Sequence, residues 1–348
     1  MASRIQRFLS QASRAEVHTR TSRASCRHDD ITLGNGMEVL LTDAELLGRV
    51  KLPSRAAVQL KSVVNGPPLL RVPIASVQMP YDFGSLSALL SSAGFVAAEE
   101  EADELLARAA GDAEVLASLV DRRLTGEPLA WITGSVMFCG LQILVDPGVY
   151  VPRWQSAPLA RRAAERLAAT GTAVDLCTGA GAMAKTLTAT RPGARVVATD
   201  VNERAVACAK RNGVEAFKGD LFSPLPLELL GSVDVVVGVV PYVPTPELSL
   251  LPRDTLAFES PLSYEGGRDG TDVLRRVVAD SVPYLRTGGA LLLELGGEQA
   301  DVLADDLARL GYVYVTVLLD EEGDVRGIEA TLAGTRAPPV DRDAGNAV

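Results

Sequence analysis

The sequence predicts an α/β fold: a mainly parallel sheet with helices on both faces. Three observations lead there. Apolar strand candidates alternate with helical stretches through the second half of the chain. The first of these strands runs into a glycine-containing loop that opens a helix, and two later strands end on the carboxylates Asp200 and Asp220. Ligands of such sheets sit at the carboxyl ends of the strands, near the topological switch point.

Taken in order, the N-terminal stretch is Arg-rich (Arg4, Arg7, Arg14, Arg20, Arg23 and Arg27) with no acidic residue before Glu16. It reads as a disordered extension or the product of an upstream start codon, with an organelle transit peptide as the competing reading. Residues 1–80 as a whole are an unassigned, partly disordered extension, broken by Pro53, Gly66-Pro67-Pro68 and Pro73. Residues 81–125 repeat apolar positions at three and four spacing and predict a small helical domain. Residues 126–153 carry alternating apolar stretches punctuated by Gly and Pro, the pattern of a β-hairpin linker. In the domain at 154–334, strands are predicted at 173–177, 195–200, 215–219, 233–238, 290–295, 312–318 and 329–332. Helices are predicted at 183–190, 203–212, 271–285 and 299–310. Residues 335–348 read as a disordered tail.

Composition narrows the function. Among the 348 residues, 47% are hydrophobic and 22% charged, the balance of an ordinary globular protein. No apolar run approaches the roughly 18–20 residues that a membrane-spanning helix needs, so no membrane partner is expected. The net charge of −10 disfavours a broad nucleic-acid surface and favours proteins, peptides or small molecules as substrates. The four cysteines are scattered without a CxxC pair, which suggests neither a disulfide framework nor a zinc site and fits a cytoplasmic protein. Both histidines, His18 and His28, lie in the N-terminal extension. Ser-His-Asp and Cys-His catalysis and histidine-ligated metal are thereby excluded from the rest of the chain.

The candidate cofactor loop is VDLCTGAGAM, Val174 to Met183. Small residues there let the backbone approach a ligand, and the helix start adds exposed N–H groups. Cys177, Gly179 and Gly181 are spaced two apart, Thr178 and Ala180 lie between them, Asp175 sits within the strand, and Ala184 takes the third-glycine position of a dinucleotide loop. Asp200 is placed to accept from ribose hydroxyls, a spacing that fits S-adenosylmethionine or a nicotinamide cofactor. Asp220, followed by Leu221, is placed to accept from an adenine amino group, with a helix cap or turn as the bland alternative.

The acceptor side is the stretch VDVVVGVVPYVP, Val233 to Pro244. Methyltransferases that act on a planar nitrogen carry Asn-Pro-Pro-Tyr where this chain has Val239-Val240-Pro241-Tyr242. Together with the cofactor loop, the run Gly126-Glu127-Pro128, the run Pro147-Gly148 through Pro152-Arg153, the segment Phe258 to Val277 and TGGALLLELGGEQA, these residues resemble the HemK/PrmC family of protein-(glutamine-N5) methyltransferases over residues 85–332. The Phe138-Cys139-Gly140-Leu141 run is similar to an actinobacterial branch of that family.

The resemblance implies a seven-stranded, Rossmann-like class I methyltransferase domain preceded by a helical substrate-recognition domain. It implies S-adenosylmethionine in the loop 177–181, Asp200 on its ribose and the Asp220-Leu221 region around its adenine. It implies a monomer acting on a protein or peptide nitrogen, with the glutamine of a peptide release factor as the best-known acceptor. In the family, the Asn side chain and the next backbone carbonyl accept the two amide hydrogens, and the Tyr packs on the substrate plane. Val239 accepts nothing, while the Val240 carbonyl and the Tyr242 ring keep their roles. One buried donor left unpaired costs on the order of 1–3 kcal/mol. After Pro152-Arg153 the family commonly has an acidic residue. Here Trp154-Gln155-Ser156 follows, and Arg153 and Trp154 are candidate substrate contacts, Trp154 equally a packed surface residue. Tyr264, Glu265 and Asp269 read as a solvated turn that can approach the substrate. The competing functions are a nicotinamide oxidoreductase, a DNA adenine methyltransferase, and a weakened or non-enzymatic cofactor-binding paralogue.

Overall fold

The structure, a computed structural model, describes residues 59–61, 69–71, 81–251 and 253–333. Apart from two short paired strands, β1 (Gln59–Lys61) and β2 (Leu69–Arg71), the extension at 1–80, including its transit-peptide reading, lies outside the described residues, as does the tail at 335–348. The chain divides into two compact units between Thr125 and Gly126.

In the first unit, α1 (Phe83–Ser92), α2 (Ala98–Ala109) and α3 (Ala113–Leu124) bury Leu86, Leu90, Leu105, Leu116 and Val120 at helical spacing. Asp82 and Asp112 cap the first and third helices by accepting from first-turn N–H groups, which stops the chain from unwinding there. One charge is buried with them. Arg123 donates to both carboxylate oxygens of Glu101, at 2.6 and 2.9 Å, and lies over the Phe95 ring.

The second unit opens with a short helix, α4 (Leu129–Thr133), before the hairpin β3 (Ser135–Phe138) and β4 (Leu141–Leu144). The hairpin is therefore shorter than the linker predicted for 126–153. Trp131 on α4 is buried and donates its indole N–H to the Val149 carbonyl. A helix that the sequence reading left unassigned follows, α5 (Ala157–Arg166), with Pro158 at its start and an Ala-rich buried face.

The α/β domain has a seven-stranded sheet in the order β10-β11-β9-β8-β5-β6-β7. Its strands are β5 (Thr172–Leu176), β6 (Arg195–Asp200), β7 (Glu215–Lys218), β8 (Val233–Gly238), β9 (Leu285–Glu294), β10 (Tyr312–Leu319) and β11 (Val325–Leu332). β5 through β9 run parallel, and β11 is antiparallel to both neighbours. The helices are α6 (Ala182–Thr190), α7 (Glu203–Arg211), α8 (Arg253–Phe258), α9 (Asp272–Asp280) and α10 (Gln299–Arg309). Both faces of the sheet are covered, which explains the unbroken valines of β8: Val235 and Val237 enter one core cluster and Val236 the other. Two predicted ends move for local reasons. α9 stops at Asp280 rather than 285, because Pro283 cannot continue it, and β9 begins at Leu285 with a register shift before Ala290. The topological switch lies between β5 and its neighbours β6 and β8. Among the described residues, no helix is long and apolar enough to cross a membrane.

Candidate active site

The loop between β5 and α6 is shaped by its own backbone. Cys177, Gly179 and Gly181 all have positive φ, at 54°, 55° and 83°. Asp175, at the end of β5, braces the loop: one carboxylate oxygen accepts from the Thr178 hydroxyl at 2.5 Å and from the Ala184 N–H at 3.1 Å. Burial pushes the Asp175 carboxyl up to about 7, against the lowering effect of those two donors. Burial likewise pushes the Cys177 thiol up, away from thiolate chemistry.

Asp200 ends β6 beside this loop. One of its oxygens accepts from the Gly179 N–H at 2.9 Å and the other from the Asn202 N–H at 2.8 Å. Burial raises its carboxyl above the usual range. Each oxygen keeps lone-pair capacity for a hydroxyl donor. Asp220 is different. It is exposed, and its Oδ2 accepts from Arg276 Nη2 at 2.6 Å. Leu221 is buried with φ +47°, a conformation that turns the chain sharply after β7.

On the other side, β8 runs into Val239-Val240-Pro241-Tyr242. Val240 is buried, and no donor among the described residues reaches its carbonyl. Tyr242 is clamped from two directions. Its hydroxyl donates to Glu294 Oε1 at 3.0 Å, and its carbonyl accepts from Gln299 Nε2 at 2.7 Å. The following residues pair with the 264–267 segment: Val243 N–H donates to the Tyr264 carbonyl, and Thr245 N–H to that of Gly267. Tyr264 is therefore a buried packing residue and not part of a solvated turn, while Glu265 accepts from the Thr245 hydroxyl and Asp269 accepts from Thr271 at the start of α9.

Arg153 donates to Glu259 Oε2 at 2.7 Å and to the Tyr264 hydroxyl at 3.2 Å, with its guanidinium near the Tyr150 ring. The other Glu259 oxygen accepts from the Val151 N–H at 2.9 Å. Burial opposes the Arg153 charge, but the Glu259 carboxylate together with the Tyr150 and Tyr264 phenols more than offsets it. Trp154 is half-exposed on a short 3-10 turn.

These pieces meet in one cleft. Its walls are Asp175, Cys177, Thr178, Ala180, Ala182 and Met183 from the loop side, Val239 from β8, and Phe138, Tyr150, Pro152, Arg153 and Ser156 from the hairpin and the turn after it. Of the sequence candidates, the cleft brings together Asp175, Cys177, Thr178, Ala180, Arg153 and Val239. Gly179, Gly181 and Asp200 sit in or against the same loop, whereas Val240, Pro241, Tyr242, Asp220, Leu221 and Trp154 are not among the lining residues. The sequence reading missed Glu259, Arg276, Glu294 and Gln299. Only Glu294 left a signal, a lone carboxylate inside the apolar run Leu291–Leu295.

Residues 143–223 match the Methyltransferase small domain family. The chain is 34% identical over 211 residues to the release factor glutamine methyltransferase of Geobacter sulfurreducens, covering 59% of this chain and 73% of that protein. It is 36% identical over 206 residues to the Moorella thermoacetica protein of the same name, covering 56% and 71%. It is also 37% identical over 191 residues to the 4-amino-L-phenylalanine/4-methylamino-L-phenylalanine methyltransferase of Streptomyces pristinaespiralis, covering 52% and 65%.

Proposed function

The chain belongs to the release factor glutamine methyltransferase family, and from that premise we propose that it methylates the side-chain amide nitrogen of a glutamine in a protein or peptide, a release factor being the leading substrate. It is an S-adenosylmethionine-dependent N-methyltransferase. The observation that carries the acceptor reading is the shared cleft: Val239, on the acceptor side, lines it with Cys177, Thr178, Ala180, Ala182 and Met183 of the loop and helix start.

The residues fit the cofactor. Asp200 is a largely buried carboxylate with lone pairs left for a ribose diol. A side chain at Gly179 would meet nothing nearer than Tyr150 at 3.9 Å, so the loop backbone is open to a ligand there. Bound there, S-adenosylmethionine would supply an electrophilic methyl carbon to the acceptor nitrogen, with the sulfonium sulfur as leaving group and one proton lost from the nitrogen. The protein's share is orientation. An amide lone pair is delocalised into its carbonyl, so the nitrogen reacts only when held in line. The Val240 carbonyl is the acceptor for one amide hydrogen, and the clamped Tyr242 ring supports the amide plane.

The test is methyl transfer from labelled S-adenosylmethionine to a purified bacterial release factor, with the label located by mass spectrometry. Label on a glutamine side chain is expected. Cofactor binding without transfer would support the non-enzymatic paralogue instead.

One observation favours a second acceptor class, an aromatic amine. Val239 shares the cleft wall with Phe138, Tyr150, Pro152 and Met183, an apolar surroundings suited to a ring, and the Streptomyces relative is named for 4-amino-L-phenylalanine. The same labelled cofactor offered with that amino acid separates the two.

A further inference from the structure

Glu294 ends β9, and strand register fixes where it stands. In the parallel β8–β9 pair, Leu292 lies opposite Val237 and Leu293 opposite Gly238, which brings Glu294 level with Val239 one strand over. Side chains alternate between faces along a strand, and Leu292 and Val237 enter the same core cluster. Glu294 and Val239 therefore project from the same face, on backbones about 4.8 Å apart. Glu294 is 6% exposed. Its Oε1 holds the Tyr242 hydroxyl, whereas Oε2 is buried and no donor among the described residues reaches it. Ser156, which lines the cleft, neighbours this carboxyl; burial raises the carboxyl above the usual range, against the lowering effects of Ser156, Tyr242 and the Arg326 cation. A buried carboxylate oxygen without a donor is costly, and such an oxygen beside a cleft marks the place of a donor that arrives with the ligand.

We propose that Glu294 is a catalytic residue on the acceptor side: its Oε2 accepts the N–H of the acceptor nitrogen that Val239 cannot accept. The proposal rests on the methyltransferase reading. Tyr242 fixes Oε1 and so aims Oε2, and the Val240 carbonyl takes the second hydrogen. When the nitrogen forms its N–C bond it sheds one proton, which passes to Oε2. Glu294 becomes the neutral acid and returns the proton to water as product leaves. In this arrangement a carboxylate from the neighbouring strand occupies the role of an amide at position 239.

The experiment is a double-mutant cycle of Glu294→Gln and Val239→Asn, with calorimetry of S-adenosylhomocysteine to report the fold and the cofactor side. Acceptors are the release-factor peptide and the aromatic amine. Glu294→Gln is expected to bind S-adenosylhomocysteine within about twofold of wild type, yet lose about tenfold or more in methyl transfer. Its calorimetric affinity for the acceptor, measured on protein saturated with S-adenosylhomocysteine, is expected to fall in step. Val239→Asn alone is not expected to raise transfer, because Oε2 already takes the hydrogen it would accept, and it is expected to restore the Glu294→Gln protein most of the way to wild type.

Unchanged transfer in Glu294→Gln, no recovery in the double variant, or a rise of about tenfold in Val239→Asn alone would each overturn the proposal. The last result does not depend on how Glu294→Gln folds. Wild-type protein that binds S-adenosylhomocysteine and methylates neither acceptor overturns it too, with the cofactor reading left standing. Failure to bind S-adenosylhomocysteine sinks that reading instead.

Discussion

Arg276 Nη2 lies 2.6 Å from Asp220 Oδ2, so the carboxylate that the sequence reading assigns to the adenine amino group already has a cationic partner. Both side chains are about half exposed. An exposed pair of this kind contributes on the order of 0–1 kcal/mol to stability. Its effect on a ligand is larger in consequence, because a donor from the ligand must share or displace the guanidinium.

Arg276→Ala is therefore expected to leave urea stability within about 1 kcal/mol of wild type and to tighten S-adenosylhomocysteine binding by about two- to fivefold. Calorimetry checks both the sign and the size. Weaker binding in the variant would mean that Arg276 contacts the ligand itself instead of competing with it for Asp220.

The two loop glycines should separate strain from crowding. A Cβ at Gly181 would sit 2.9 Å from Val214 Cγ2 and 3.1 Å from Ala209 Cβ, at φ +83°, whereas one at Gly179 meets only Tyr150 at 3.9 Å. Gly179→Ala then carries only the left-handed backbone cost, about 1 kcal/mol. Gly181→Ala adds overpacking of about 1–3 kcal/mol against α7. Urea midpoints should fall in that order, and equal losses would show that α7 yields at no cost.

Much of this site was legible in the sequence because its signals are local. Cys177, Gly179 and Gly181 mark a loop that needs positive φ, Asp200 ends an apolar run, and Pro241-Tyr242 ends another. The clamps were not legible. Tyr242 meets Glu294 across 52 residues and Gln299 across 57, and Val151 meets Glu259 across 108. Such pairs are set by which segments the fold brings together, and a Gln at a helix start or a Glu just after a helix looks ordinary by itself. For the same reason Val239 reads as a lost hydrogen bond in sequence, since only the β8–β9 register brings Glu294 beside it.

Asp175 predicts a pH dependence with a definite sign. Its folded carboxyl is raised by burial to about 7 from an ordinary value of 3.8. Between those values the folded state keeps a proton that the unfolded chain has lost, so its contribution to stability is fully present below about pH 4 and is lost as pH rises to about 7. At about 1.4 kcal/mol per unit, the loss reaches about 4 kcal/mol. Asp175→Asn keeps an oxygen for Thr178 and Ala184 without the titration. Relative to wild type it should gain stability from pH 5 to pH 8 in urea melts of the cofactor-free protein. A difference that stays flat across that range would place the carboxyl's titration elsewhere.

Gln299 tests whether the Pro-Tyr turn can be loosened without disturbing the cofactor side. It is buried, donates to the Tyr242 carbonyl at 2.7 Å and the Asp269 carbonyl at 3.3 Å, and accepts from the Gly296 N–H at 3.1 Å. Gln299→Leu removes all of these and leaves part-buried backbone groups unpaired, at a cost of about 1–3 kcal/mol each where water cannot replace the partner. The loop at Cys177–Gly181 hangs from β5, separated from β9 by β8, and is braced by Asp175 and Asp200 without help from Gln299. Methyl transfer should therefore fall about tenfold or more, while S-adenosylhomocysteine affinity stays within about threefold. Gln299→Glu separates the contacts further: it keeps an oxygen for Gly296 but turns a carboxylate toward the Tyr242 carbonyl, so its transfer should be at least as poor as that of the leucine variant. If affinity fell as far as transfer in both, Gln299 would be supporting the whole carboxyl end of the sheet, and Tyr242 would not be the element it positions.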